Sequence, residues 1–361
     1  MPGLVDMHVH INNAKDLDLF VANGVTAVQN MWGYEGLLNL FGFSNQLRLK
    51  TQIDSGKRLG PSIYTAGPIL EGHPKTQPFM TETTDPRAAV RLVRSHREKG
   101  YDFVKVYDHL HEGVYLSIME ECRRLRMPVK GHVPYGVGIL QALQWGQRQI
   151  DHLTGYLDYD MVKLLLPEEQ LAEYARLTRE YEVYNCPTVV FTQKRVGMAK
   201  FHEMSKHPAM KHLNFMQKLF LRKSVASLEE ELRYQGQDYQ RDVFELYKTV
   251  IHALQQENAP ILAGTDTGNP FVFPGYALHE ELELLVRAGM SPYEALSCAT
   301  VRPYESLGMI DKAGTIEVGK RADLIILRKN PLDDISGITQ IEGVILKGKL
   351  LSRDCLNELL N

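Results

Sequence analysis

Residues 3–12 read GLVDMHVHIN, an apolar run with strand character that leads into two histidines separated by one residue. Successive side chains of a strand point to opposite faces, so residues two apart share one. His8 and His10 therefore project together where the strand ends, with Asp6 on their side and Met7 and Val9 on the other. Two neutral imidazoles held together suit a metal that prefers nitrogen ligands. They also suit half-buried polar groups satisfied at a sheet end, and a short motif alone does not choose between the two.

The chain has 361 residues, enough for one large domain or two ordinary ones. Its formal net charge of −3 argues against a broad nucleic-acid surface. No apolar run is long enough to cross a bilayer, and the N-terminus lacks the basic region and apolar stretch of an export signal. The expected partners are thus neither nucleic acid nor membrane. Cys122, Cys186, Cys298 and Cys355 are scattered and form no C-x-x-C pair. They read as buried, reduced thiols, and a cytoplasmic location is the expectation.

Strand-like runs alternate with helical ones. After the first come 24–31 (GVTAVQNM), 60–70 (GPSIYTAGPIL), 101–108 (YDFVKVYD), 127–133 (MPVKGHV), 148–156 (RQIDHLTGY), 181–191 (YEVYNCPTVVF) and 259–268 (APILAGTDTG). Helical stretches separate them; in DPRAAVRLVRSHREKG, Asp85-Pro86 reads as a start and Gly100 as a stop. Repeated strand–helix units imply a parallel sheet with crossovers, and eight of them fit an α/β fold of the (β/α)8, TIM-like barrel type over residues 1–307. An open doubly wound sheet is the competitor, but the glycine-rich phosphate turn expected of it is missing. Residues 192–245 form a long helical insertion, read as a lid or pocket wall, with a solvated hairpin or a homo-oligomer contact as the alternatives. After residue 307 short strands joined by Gly and Asn-Pro turns suggest a small β-unit over 308–361.

In such a barrel functional groups gather at the C-terminal ends of the strands. Those ends supply His8 and His10, then Lys105, His132, His152 and Asp266. Each has a plain structural reading: a lysine paired with an acid, a histidine bonded to a carbonyl, Asp151 paired with His152, an aspartate capping a turn. All six recurring at strand ends is harder to explain structurally, and four histidines with a carboxylate form a zinc-type ligand set.

The motifs PGLVDMHVH, FVKVYD, GHVP, IDHLTGY, LAGTDTGNP and GTIEVGKRADLIIL together resemble the amidohydrolase superfamily, in its imidazolonepropionase-related and Xaa-Pro dipeptidase-like branch. The resemblance implies two divalent metal ions, zinc by expectation. His8 and His10 would bind the deeper ion, His132 and His152 the second, and N6-carboxylated Lys105 would bridge them. Asp266 would bind metal and move protons. A bare lysine is protonated near neutral pH and a poor ligand, whereas a carbamate is an anionic oxygen donor. The implied reaction is hydrolysis of an amide, a dipeptide-like substrate or a cyclic amide by water activated on the metals, with Asp266 as base and then acid. Tyr107, Tyr156 and His73 are the candidate substrate contacts, and Lys194, Arg195 and Lys200 could meet a carboxylate.

Members of that family carry a segment ahead of the H-x-H strand that completes a small β-sandwich. Here the resemblance implies an incomplete sandwich at the C-terminus, with an unpaired edge and exposed apolar residues. The rival functions are a metal-dependent esterase or organophosphate hydrolase and, in another class, a non-catalytic barrel scaffold.

Overall fold

The computed structural model describes residues 1–36, 44–158, 162–197, 204–213, 218–219, 221–226 and 238–361. The chain is an α/β protein with parallel sheets. Strands β1 (Leu4–Val9), β2 (Val25–Asn30) and β3 (Ser62–Thr65) form one sheet in that order. A second has the order β5 (Thr81–Glu82), β4 (Leu70–Glu71), β6 (Val104–Val106), β7 (Val129–Gly131), β8 (Gln149–Asp151), β9 (Tyr184–Cys186). Isolated parallel bridges join these sheets: Ala66 to Phe103, Asn185 to Ile261, and Val9 to Thr267. The backbone bonds Asp102 N–Thr65 O (2.9 Å), Leu262 N–Asn185 O (2.8 Å) and Met7 N–Ala263 O (3.0 Å) reinforce them.

Helices connect the strands: α1 (Lys15–Ala22), α2 (Gln46–Asp54), α3 (Pro86–Lys99), α4 (Glu112–Leu125), α5 (Ile139–Trp145), α6 (Glu168–Glu180), α7 (Val189–Val196) and α8 (Tyr239–Gln256). The signals read around α3 correspond to real caps. The Asp85 carboxylate accepts from Arg87 N (3.2 Å) and Ala88 N (2.9 Å), and Gly100 ends the helix at φ +89°. His96, Arg97 and Lys99 in the last turn complement the helix dipole. Ala89, Val93 and His96 turn inward, and Val93 packs with Tyr115 and Ile118 of α4 in a buried cluster.

Three runs depart from their reading. Residues 60–70 split, because Gly67-Pro68 interrupts the strand and Leu70 pairs instead with Val106 and Thr81. The run 259–268 is held by bridges rather than a continuous ladder. In 181–191 the strand stops at Cys186, and the β-branched Val189 and Val190 open α7 instead. Within the insertion, residues 198–203, 214–217, 220 and 227–237 lie outside the described residues, Lys200 among them; the 3-10 turn Pro208–His212 is described.

Helices α9 (Tyr276–Arg287), α10 (Pro292–Cys298) and α11 (Val301–Ser306) follow, then an antiparallel sheet of β10 (Leu324–Leu327), β11 (Ile341–Leu346) and β12 (Lys349–Ser352), and α12 (Arg353–Leu359). The edge expected to be unpaired is partly occupied: Pro2 bridges Leu324, and Ile325 N donates to Met1 O (2.9 Å). Exposed apolar residues are present there, Ile326 at 44% and Leu350 at 59%. Cys122, Cys186 and Cys298 are buried free thiols, but Cys355 is exposed, because it lies in the first turn of the surface helix α12. Among the described residues no helix is long and apolar enough to cross a membrane.

The start of α7 links packing to the later argument. Its N-cap, Thr188, does not cap: its hydroxyl donates to Pro187 O (2.6 Å) and faces His152 Nδ1 (2.5 Å). The free N–H groups of Val189 and Val190 go instead to the Glu281 carboxylate of α9, at 3.1 and 2.7 Å. Burial pushes Glu281 up to about 8, against the two N–H groups that pull it down. The unfolded chain loses this proton near 4.5 and the folded one near 8. This group's contribution to stability therefore falls as pH rises between those values and is level above them. Glu281→Gln should keep an acceptor and flatten that slope in denaturant titrations from pH 5 to 8. Glu281→Ala should destabilise by about 1–3 kcal/mol by orphaning the helix start.

Candidate metal centre

Four of the six strand-end residues are imidazoles, and they form a continuous cluster. Ring centroids lie 5.5 Å apart for His10 and His8, 4.7 Å for His8 and His152, and 4.9 Å for His152 and His132. Asp266 joins three of them. Its Oδ1 is 2.9 Å from His10 Nε2 and 3.3 Å from His8 Nε2, and its Oδ2 is 3.9 Å from His152 Nε2. All of these residues are buried except His10, which is part-exposed.

The geometry depends on backbone that is strained for these residue types. His152, Leu153, Thr188 and Asp266 all have φ between +53° and +57°. The left-handed region is uncommon for non-glycine residues and costs about 1–3 kcal/mol where the surroundings impose it. The turn at His152 ends β8 and breaks the alternation of the strand. Asp151 and His152, adjacent in sequence, are therefore both drawn to the centre. Gly264 is required by close approach: a Cβ there would lie 2.4 Å from Cys186 Sγ and 2.9 Å from His8 Cβ.

Each of the two later histidines has an orienting partner. Asp108 Oδ1 lies 2.7 Å from His132 Nδ1, which leaves His132 Nε2 buried and without a hydrogen-bond partner. The Thr188 hydroxyl, already donating to Pro187, accepts from His152 Nδ1 and leaves that ring's Nε2 towards Asp266. Such contacts fix the tautomer so that the other nitrogen offers a lone pair. Asp6, expected beside His8, does not join the cluster. Its carboxylate accepts from His8 N, Thr265 N and Thr265 Oγ1, stitching β1 to the last strand-like run. Burial outweighs these bonds and pushes Asp6 up to about 7.

Lys105 Nζ donates to Asp151 Oδ2 at 2.5 Å, with both groups buried. The acid beside His152 therefore pairs with the lysine, not with its sequence neighbour. Asp151 Oδ1 also lies 3.3 Å from His8 Nδ1 and accepts from Gln149 Nε2 at 2.7 Å.

Electrostatics follow from this packing. Burial opposes charge on Asp266, but His8 and His10 outweigh it and hold the carboxyl well below its usual range. Burial likewise opposes charge on Asp151, which Lys105 and His8 keep ionised. Burial lowers His10, and it lowers His152 further, so both are neutral near pH 7. For His8 the charges of Asp151 and Asp266 overcome burial and raise it.

A cation fits this arrangement. His8, His10 and Asp266 bring ligand atoms within 4.8 Å of one another. His132 Nε2 is buried with no hydrogen-bond partner, and Asp266 Oδ1 is buried facing the Nε2 atoms of His8 and His10. Neutral His10 and His152 and ionised Asp266 are in the protonation states that binding requires, whereas at His8 a cation would have to displace the proton that Asp151 and Asp266 favour.

The proposed substrate contacts divide. Tyr107 stacks on His132 with ring centroids 3.9 Å apart, and Lys105 Nζ lies 5.9 Å from its ring. Tyr156 is fully buried in the main hydrophobic cluster, with its hydroxyl 2.5 Å from Thr178 Oγ1. His73 is exposed and pairs with Glu82 at 3.3 Å. Among the described residues neither has a hydrogen bond, ion pair or ring contact to the histidine cluster. Asp108, Thr188 and the role of Asp151 were not singled out from sequence. Asp108 and Asp151 are visible afterwards as acids within three residues of a candidate ligand, whereas nothing marks Thr188.

The chain is similar to several known proteins along most of its length. Ochratoxinase from Aspergillus niger is 24% identical over 405 residues, covering 95% of this chain and 73% of that protein. Imidazolonepropionase from Thermoplasma acidophilum is 40% identical over 65 residues, 17% of this chain and 16% of that protein. The solved structure of bottromycin amidohydrolase superposes with a TM-score of 0.79 at 26% identity, covering 99% of this chain and 78% of that one. The model of the amidohydrolase family matches residues 1–351. That span takes in every strand end described above, and the chain belongs to the amidohydrolase family, as a hydrolase of carbon–nitrogen bonds.

Proposed function

We propose that the chain is a metal-dependent amidohydrolase that cleaves an amide, dipeptide-like or cyclic amide bond. The observation that carries this reading is the convergence of the Nε2 atoms of His8, His10 and His152 on the buried Asp266 carboxylate, beside an unpartnered His132 Nε2. The strands would close as a (β/α)8 barrel over residues 1–307, supported by the bridges that join β3 to β6, β9 to Ile261 and Thr267 to β1. Residues 308–361 would be the sandwich portion.

His8, His10 and Asp266 would hold one divalent ion, zinc by the chemistry of the donors. His132 and His152 would hold a second, with Lys105 as the bridging carbamate. Such ions supply Lewis acidity and make bound water a nucleophile near neutral pH. The residues do the rest. Asp108 and Thr188 hold two imidazoles in the tautomer that presents Nε2. Asp266, ionised and buried beside the cluster, takes the proton of the attacking water and returns it to the leaving nitrogen. Carboxylation of Lys105 requires the amine to leave its contact with Asp151, whose Oδ1 already lies beside His8 Nδ1.

Activity towards N-acyl amino acids, Xaa-Pro dipeptides and lactams, set against aryl esters, tests the reaction class; turnover confined to the esters would overturn it. Chelation should abolish activity and lower Tm, and zinc should restore both. Unchanged activity and Tm in fully demetallated protein would reject the metal. Elemental analysis should give two equivalents of zinc in the native chain and one in Lys105→Ala, with activity partly rescued by short carboxylates; an unaltered metal count removes the bridge. Asp266→Asn should lower kcat by about 10²-fold or more with the fold intact by circular dichroism. Native kcat in that variant would end its proton-transfer role.

A further inference from the structure

A chain of buried polar side chains leads away from the metal centre. Lys105 of β6, Lys130 of β7 and Gln149 of β8 are register partners in neighbouring strands, so they share one face of the sheet. Asp151, two residues beyond Gln149, shares that face, and Gln29 of β2 meets them from the other sheet. All five side chains belong to residues at most 2% exposed. Lys130 Nζ donates to Gln29 Oε1. Gln29 Nε2 donates to Gln149 Oε1 (2.9 Å), and Gln149 Nε2 donates to Asp151 Oδ1 (2.7 Å). Asp151 Oδ1 in turn faces His8 Nδ1 at 3.3 Å, and that nitrogen has no hydrogen-bond partner elsewhere among the described residues.

The chemistry of the end groups fixes the direction of the chain. A glutamine amide carries an acceptor on one side and donors on the other, and by itself it could be turned either way. Three groups here leave no such choice. The Lys130 ammonium only donates, so Gln29 turns its oxygen towards it. The Met7 carbonyl only accepts, and it takes Gln29 Nε2 at 2.8 Å and Gln149 Nε2 at 3.3 Å. The ionised Asp151 carboxylate only accepts, so Gln149 presents its N–H there.

Lys130 has no acid within ion-pair distance among the described residues. Its other neighbour is the Phe103 ring, 5.1 Å from Nζ. A buried ammonium without a carboxylate is costly, and an apolar side chain would fill the same space with less penalty. What the ammonium adds is a donor that cannot be reversed, at the far end of a line of amides that can.

We propose that Lys130, Gln29 and Gln149 are positioning residues that hold the Asp151 carboxylate against His8 Nδ1, so that His8 offers Nε2 to the cation. His132 and His152 have Asp108 and Thr188 for this task; His8 has the chain. The inference rests on the metal-dependent reading above and deepens it. Lys105 bonds Asp151 Oδ2, whereas the chain bonds Oδ1. Carboxylation of Lys105 therefore leaves one oxygen of Asp151 anchored beside His8.

Zinc competition between the full chain and the chromophoric chelator 4-(2-pyridylazo)resorcinol tests the inference, with visible absorption of the cobalt(II)-loaded chain as a second readout. Gln149→Leu should weaken zinc binding about tenfold or more. Gln29→Glu is the sharper variant. The new carboxylate keeps an acceptor for Lys130 and adds an ion pair with it, but it has no N–H for Gln149. The Gln149 amide must then turn and set its oxygen against Asp151. Zinc affinity should fall about tenfold without a fall in Tm, and the cobalt bands should shift although Gln29 touches no candidate ligand. Lys130→Met should also weaken zinc, and Lys130→Gln, which restores a donor, should recover most of the loss. Native zinc affinity and native cobalt bands in Gln29→Glu and Gln149→Leu would overturn the inference and leave the metal reading standing. A loss of affinity that follows a fall in Tm across all four variants would overturn it too, since general loosening would then suffice. A native chain that takes up neither zinc nor cobalt would sink the metal reading itself, and the inference with it.

Discussion

Two ionised carboxylates, Asp266 and Asp151, are buried within reach of the same imidazole, His8. An isolated buried carboxylate would neutralise itself by taking a proton. These two do not, because Lys105 faces one and His8 and His10 face the other. Asp151 finds its counter-charge chiefly in the Lys105 ammonium. Asp266 relies on imidazoles, which can also bind metal. A cation held by His8, His10 and Asp266 would compete with protons for the same atoms, which would tie its affinity to pH.

That arrangement needs support from outside the ligand set. Strain at His152, Thr188 and Asp266 is held by contacts that would otherwise serve ordinary structure. Thr188 gives up its role as a helix cap to orient His152, and Glu281 supplies the missing acceptor from another helix. Asp6 ties the backbone of His8 to Thr265, next to Asp266. None of these groups bears on the reaction directly. Each removes a freedom that would let a ligand atom wander from its position.

The ligand candidates were legible because they follow apolar runs at regular intervals, and strand alternation makes residues two apart converge. The caps of α3 were legible because Asp-Pro and Gly act locally. What the sequence hid was set by tertiary contact. Val189 and Val190 favour strand by propensity, yet they open a helix whose start is satisfied by Glu281, 92 and 91 residues away. Asp151 reads as a partner of its neighbour, but the turn at His152 leaves its carboxylate to Lys105, 46 residues earlier in the chain. Tyr156 follows a ligand closely, yet Gly155, at φ +88°, leads it into the hydrophobic cluster rather than towards the rim. Local patterns locate the chemistry; long-range pairing decides which neighbours serve it.

The candidate ligands and the residues of the loops beyond them come from different parts of each strand–loop unit. The histidines and Asp266 stand at strand ends, where neighbouring strands fix them. The cleft lined by Lys194, Met204, Lys206, His207, Phe271 and Phe273 contains none of them. Loops tolerate change that strand ends do not. A family can therefore keep one way of activating water while its pockets diverge. The match over residues 1–351 accordingly speaks to reaction class and leaves the choice of substrate to the loops.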